Sequence, residues 1–386
     1  MCESCSSDYK GKTDFLDLFG DNMFMLRPEF HFTPPKGWMN DPNGLVFYQG
    51  KYHIFYQHNP YSCEWDSMHW GHAVSEDMIH FEHLPIALAP DEEGDIFSGS
   101  CVVDVDDLTG LGTSDCPVLL AFYTSHHPVS MREQQCMAFS RDGITFEKYR
   151  NNPIIPGKDH TPARDPYVFK NIVLGGYSMC FTTEKSIKFY HSKDLLEWTE
   201  TGDFILPDFA FQGMIECPAV FYISGKYVLL MSMDIPESEY KKFPEGAQPH
   251  NRLMQYLVGD FDGNVFTNIE ECDGPLLVDS GLEFYAGTLF NNVSETILMA
   301  WLGNSEKVLS VPTDREGFRG VLCYPRKLSL VDTPDGYRLK LEFYPAIAGD
   351  RSENYEDGVL RDSFVEEYIS EDGLFASTNV LKIPEL

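Results

Sequence analysis

A repeat constrains this chain more than any other feature. Ser75-Glu76-Asp77 leads to Phe81, Ser140-Arg141-Asp142 to Phe146, and Ser192-Lys193-Asp194 to Trp198. A looser copy runs from Asp260-Phe261-Asp262 to Phe266. In each, an aromatic stands four positions after the last Asp, and these Asp residues are 65, 52 and 68 residues apart. A degenerate fifth copy runs from Asp332 to Tyr337. Around the copies lie paired apolar runs joined by Gly, Asn and Lys turns, the signal of hairpins. They pair residues 45–47 with 53–56, 100–103 with 118–123, 167–169 with 177–181, 219–222 with 227–231, and 287–290 with 296–301. Repeats of this size, each holding about four strands, mark a β-propeller. The expected fold is all-β: a five-bladed β-propeller over residues 23–345, after an N-terminal tail at 1–22. Residues 346–386, acidic and poor in apolar residues, are expected to add only a short extension, a strand pair or a helix.

Three acids recur at one point of this pattern. Asp41 lies in Trp38-Met39-Asn40-Asp41-Pro42-Asn43-Gly44, Asp165 in Arg164-Asp165-Pro166, and Glu216 in Glu216-Cys217-Pro218. Each is followed within two residues by Pro and opens a β-like run. Pro costs little on an edge strand, where its missing N–H is not needed by a ladder. The innermost strand of a blade is such an edge, so the three acids are expected to point into one axial pocket. Taken singly, each is an ordinary turn residue; the shared position is what argues otherwise.

Composition narrows the partners. A formal charge of −31 over 386 residues disfavours nucleic acid and anionic membrane surfaces. Residues 1–22 lack a basic segment followed by an apolar core, and no run is long enough to span a bilayer. The ten Cys are scattered through apolar runs, as in a reduced compartment, and the expected location is cytoplasmic. Cys2-x-x-Cys5 has no matching second pair. The His-rich stretch 69–83 would alternate across two strand faces. Neither reads as a metal site, and no metal or cofactor is expected.

At these motifs the chain resembles glycoside hydrolase family 32, the invertase, sucrose-6-phosphate hydrolase and fructanase family. Further blocks carry the likeness: Tyr56-Gln57-His58-Asn59-Pro60, His69-Trp70-Gly71-His72-Ala73, Phe97-Ser98-Gly99-Ser100, Phe284-Tyr285-Ala286 and Tyr324-Pro325-Arg326-Lys327-Leu328. The resemblance implies a five-bladed propeller and retaining cleavage of β-fructofuranosidic bonds without a cofactor. It implies Asp41 as nucleophile, Glu216 as general acid/base, and Asp165 as the carboxylate that binds fructose hydroxyls and stabilises the transition state.

Retaining chemistry needs one ionised and one protonated carboxyl. Hydrogen bonds from the Asn40 region are expected to lower the pKa of Asp41. Neighbouring acids and partial burial are expected to raise that of Glu216. Arg164 is expected to orient Asp165 or hold a sugar hydroxyl. Asn40, Gln57 and Ser98 are expected to bind the fructose ring, with Trp38, Trp65, Phe97, Tyr285 and Trp301 as walls. The substrate is a small fructoside: sucrose, sucrose 6-phosphate or a short fructo-oligosaccharide. A phosphate preference would need a basic residue at the rim, with Lys36, Arg132, Arg252 and Arg315 available by charge. Fructosyl transfer, a catalytically inactive fructoside-binding propeller and an arabinan-cleaving propeller are the rival readings. Homo-oligomerisation through exposed blade edges is left open. Departures from the family pattern stand at Asp66, Ala163, Tyr167, Ile215, Ala219 and Glu283, and the C-terminal region is short for the family's β-sandwich.

Overall fold

A computed structural model describes residues 26–113, 115–244, 247–347 and 349–381. The N-terminal tail and Cys2-x-x-Cys5 lie outside the described residues. The chain is all-β, and its hairpins stand where the sequence puts them. The number of blades differs: six sheets of four or five strands form a six-bladed arrangement, which corrects the expected five. The first sheet runs through Gly37–Tyr48, Lys51–Asn59, His69–Ser75 and Phe81–Leu88. The second begins with Asp95–Asp104, the third with Arg164–Lys170, the fourth with Met214–Ile223 and the fifth with Phe284–Leu289. The sixth holds Tyr355–Glu356, Val359–Asp362, Val365–Ile369 and Ala376–Val380.

In place of the strand pair or helix expected in residues 346–386 stands this four-stranded sheet, for a reason visible in its side chains. Val365–Ile369 and Ala376–Val380 alternate buried and half-buried positions. Their buried face carries apolar Val365, Ile369, Ala376 and Val380, together with Glu367 and Thr378. The buried acids are not solvent-facing. Asp362 accepts the backbone N–H groups of Glu29, Phe30 and His31 at 2.8, 2.6 and 3.0 Å, and Glu367 meets Arg326 of the fifth sheet at Nε, 3.1 Å.

The Asp of the repeat has a local job. Asp77 Oδ1 accepts from the N–H of Ile79 and His80 at 2.9 and 2.8 Å. Asp142, Asp194 and Asp262 cap the following turn in the same way. These are Asx turns, in which the carboxylate replaces a backbone acceptor. The turn delivers the aromatic to the start of the outer strand. Asp332 is not a copy of this device. It pairs with Tyr337 inside the hairpin Arg326–Thr333/Gly336–Phe343. A copy the repeat pattern missed is Ser370-Glu371-Asp372, whose carboxylate accepts from Leu374 N at 3.0 Å in the sixth sheet.

The first strands of the first five sheets pack in succession, Gly37–Tyr48 against Asp95–Asp104 and so on to Phe284–Leu289, which returns to Gly37–Tyr48. Late chain also returns to the start: Phe318–Arg319 pairs in parallel with Gly37 and Trp38. Every one of these five strands loses register against its neighbour at one shared level. Asn40-Asp41 opposes Gln57, Phe97-Ser98 opposes Thr124, and Asp165-Pro166 opposes Phe181. Cys217-Pro218 opposes Met231 and Ala286-Gly287 opposes Ala300. Two residues against one is a β-bulge, which bends the strand and re-aims side chains. Asp165, Cys217 and Ala286 take positive φ there, at 64°, 47° and 51°. The sixth sheet has no such bulge.

Candidate active site

The bulges converge on a cavity of about 430 Å³. All twelve candidate residues line it: Trp38, Asn40, Asp41, Gln57, Trp65, Phe97, Ser98, Arg164, Asp165, Glu216, Tyr285 and Trp301. The acids lie inside their strands rather than just before them: Asp41 and Asp165 are bulge residues, and Glu216 directly precedes the bulge at Cys217-Pro218. No described residue of the sixth sheet lines the cavity. A larger cleft, about 1030 Å³, lies between the fifth and sixth sheets around Lys327, Tyr344 and Tyr368. Convergent polar groups mark a site better than volume does, and the axial cavity holds them.

Asp41 is gripped at both oxygens. Oδ1 accepts from Asn40 Nδ2 at 2.9 Å, and Oδ2 from Ser98 Oγ at 2.7 Å. Asn40 is itself fixed, since its Oδ1 accepts from Trp38 Nε1 at 2.8 Å. Asp165 Oδ2 accepts from the N–H of Cys217 at 2.9 Å, and its own N–H donates to Thr124 Oγ1 at 3.1 Å. Cys217 Sγ lies between the two acids, 3.6 Å from Asp41 Oδ2 and 3.7 Å from Asp165 Oδ2. Glu216 accepts from Arg164 Nη2 at 3.0 Å on one oxygen and from Tyr285 OH at 2.5 Å on the other.

Electrostatics corrects one expectation. Asp41 sits above the ordinary carboxylate range, not below it: burial outweighs the hydrogen bonds of Ser98, Asn40 and Cys217, and the charge of Glu216 adds to it. Asp165 is pushed up to about 7 by burial, against the pull of Arg164 and with the charges of Glu216 and Asp41. Burial likewise holds the Cys217 thiol and the Tyr285 phenol far up, so both are proton donors here. Burial thus holds Asp41 and Asp165 toward their protonated forms.

Other roles shift as well. Arg164 pairs with Glu216 rather than hydrogen-bonding Asp165, although the charge of Asp165 still acts on it. Tyr285 is a hydrogen-bond donor as well as a wall. Gln57 is buried and spends an N–H on Ile96 O at 3.0 Å. Trp65 stands at the mouth, 54% exposed. Trp301 lines the cavity, and its Nε1 is buried without a hydrogen-bond partner in the protein. Among the four basic rim candidates, Arg252 lines the cavity; Lys36, Arg132 and Arg315 do not. Its guanidinium lies 5.7 Å from the centre of the Tyr285 ring and 3.4 Å from Asp234. Sequence reasoning missed Cys217, Asn304 and Leu309 as lining residues. For Cys217 the signal was its place between Glu216 and an edge-strand Pro; for the other two there was none. Among the described residues no group of three or more His, Cys, Asp or Glu is arranged to hold a metal ion. In the His-rich stretch, His72 faces His53 at 3.0 Å and His80 faces Asp77.

Three acids on three blades of a propeller thus meet in one axial cavity. Residues 31–342 match the family model described as glycosyl hydrolases family 32 N-terminal domain, and the chain belongs to that family. It is 38% identical over 325 residues to a levanase of Bacillus subtilis strain 168, covering 81% of this chain and 46% of the levanase. It is 36% identical over 328 residues to an invertase of Schizosaccharomyces pombe, covering 80% and 54%. The chain thus spans about half the length of these curated relatives. Among solved structures, an exo-inulinase from Aspergillus awamori superposes with a TM-score of 0.74 at 28% identity, over 91% of this chain and 72% of that one.

Proposed function

We propose that the protein is a retaining β-fructofuranosidase acting on sucrose, sucrose 6-phosphate or short fructo-oligosaccharides. One observation carries the reading: three acids on three separate blades share one cavity, and each meets a different set of partners. The similar levanase, invertase and exo-inulinase support it.

In this reading Asp41 attacks the anomeric carbon of the fructosyl unit. The bond to the leaving oxygen breaks as Glu216 passes it a proton. Both Asp41 oxygens are hydrogen-bonded, which fixes the angle of attack. Ionised Asp165 accepts hydrogen bonds from fructose hydroxyls and supports the positive charge that develops on the ring. Glu216, now ionised, takes a proton from water, and the hydroxide opens the fructosyl ester, restoring Asp41. Arg164 and Tyr285 keep Glu216 in place between its two tasks. If a sugar hydroxyl replaces the water, the same cycle gives fructosyl transfer. We also propose a cytoplasmic setting, supported by eight described cysteines that are all free thiols.

The test measures fructose release from equal concentrations of sucrose, sucrose 6-phosphate and a fructotriose, beside the variant Asp41→Asn. Release that disappears in the variant is expected, and the rank order names the substrate. Fructoside binding without release would make the protein a binding module. Release unchanged in Asp41→Asn would remove the assigned nucleophile.

A further inference from the structure

Arg164 is held from two sides. One side is Glu216; on the other, Nη1 stands 3.6 Å from Glu133 Oε2. Glu133 belongs to Arg132–Ser140 in the second sheet, is buried, and lies outside the cavity. Its Oε2 accepts from the N–H of Ala163 at 2.8 Å, the residue just before Arg164. Its Oε1 is 3.4 Å from His126 Nδ1. The His126 ring lies flat against Phe97, 4.3 Å between centroids at an interplanar angle of 3°. Phe97 in turn meets Trp65 edge-on at 6.1 Å. A single buried carboxylate therefore backs both the cationic partner of Glu216 and the aromatic wall. Burial alone would keep it neutral, but His126, Arg164 and the Ala163 N–H hold it below the ordinary range. A buried charge that only packed would be costly and replaceable by an apolar residue. Here each of its contacts leads to a pocket residue within one step.

We propose that Glu133 is a positioning residue: through Arg164 it sets the carboxyl of Glu216, and through His126 it seats Phe97. The inference rests on the reading of Glu216 as general acid/base. Glu216 and Met214 Sδ both hold Arg164 at Nη2 alone, at 3.0 and 3.4 Å, which leaves the guanidinium freedom to pivot about that nitrogen. A second anchor on Nη1 removes the freedom, as bidentate guanidinium contacts do elsewhere.

The experiment is a double-mutant cycle of Glu133→Gln and Arg164→Lys, read as kcat and KM for sucrose with melting curves for all four proteins. Glu133→Gln keeps shape and removes charge. Expected is a fall in kcat on the order of 10- to 100-fold, with KM within about threefold, the cost of a misplaced catalytic group. In the Arg164→Lys background the same change is expected to cost less than about threefold, since it acts through Arg164. An equal loss in both backgrounds, or no loss in either, overturns the proposal. Nitrogen-15 spectra of the arginine side chains give a reading that needs no substrate. A slowly exchanging Arg164 guanidinium signal is expected in the wild type and lost in Glu133→Gln; its survival overturns the proposal too. Glu216→Ala with wild-type turnover would instead sink the acid/base assignment, which keeps the two failures apart.

Discussion

Two clusters of buried acids, each with one arginine, lie in this molecule, and they are built to opposite rules. At the junction of the fifth and sixth sheets, Arg326 meets Asp279 at 2.7 Å, Glu367 at two nitrogens and Thr378 at 2.6 Å. His31 bridges Asp362 and Glu367 at 2.8 Å each, and Tyr324 N donates to Glu367 at 2.6 Å. Burial would raise Glu367 and Asp362, but Arg326 and His31 bring Glu367 below the ordinary range, and His31 with the backbone N–H groups of Glu29 and Phe30 does the same for Asp362. Burial would lower His31, yet the same acids lift it to about 9. In the axial pocket the balance is reversed: Asp41 and Asp165 stay raised. The junction has enough donors for its acids and is a clasp. The pocket's acids also have donors, but Arg164 alone forms an ion pair with them, through Glu216, and they face a cavity. What distinguishes a site from a strut is not buried charge but unmet charge.

The largest effect that would break this contrast is on turnover. Asp41→Asn is expected to lower kcat by on the order of 10⁴-fold or more, as loss of a nucleophile does, with an unchanged circular dichroism spectrum. Arg326→Met is expected to do the reverse. It strands buried acids and should destabilise by about 3–5 kcal/mol, seen in urea melts, while kcat per folded molecule stays the same. If the pocket variant unfolds or the clasp variant loses kcat, the division of labour is wrong.

Next comes pH. Asp165 binds its proton more tightly folded than unfolded, so it costs stability as pH rises from its ordinary value near 4 to about 7. His31, also raised, contributes stability fully present below about 6.5 and lost as pH climbs through about 9. Melting temperature should therefore fall across both windows. Asp165→Asn is expected to raise it by a few degrees at pH 8 and not at pH 4, at the cost of activity. His31→Gln should flatten the upper window alone. Identical pH profiles in both variants would contradict the assignment. The smallest effect is at the rim. Arg252→Gln, which removes a half-exposed cation beside Tyr285, is expected to raise KM several-fold and change kcat by less than about threefold.

The sequence announced the pocket better than the clasp. Asp41, Asp165 and Glu216 were legible because each is followed within two residues by Pro, and Pro is tolerated on an inner edge strand. The bulges that aim them were not legible, since a bulge is a mismatch between two strands and neither strand carries it alone. The Asx turns were legible as Asp-to-aromatic spacing, yet Asp332 imitated the spacing without the turn. The sixth sheet was hidden because Asp362 and Glu367 read as solvated charge. Only their partners His31 and Arg326, more than 30 residues away in sequence, show otherwise. Glu133 was invisible for the same reason.

The parallel pairing of Phe318–Arg319 with Gly37 and Trp38 has a bearing on biogenesis. Gly37 N donates to Gly317 O at 2.8 Å, so the strand that carries Asp41 is stitched to residues made some 280 positions later. During synthesis the first sheet waits with one edge unpaired until residues 318–319 have been made. Fragments that end before residue 317 cannot close that edge, and activity should arrive as a single late event rather than grow with chain length.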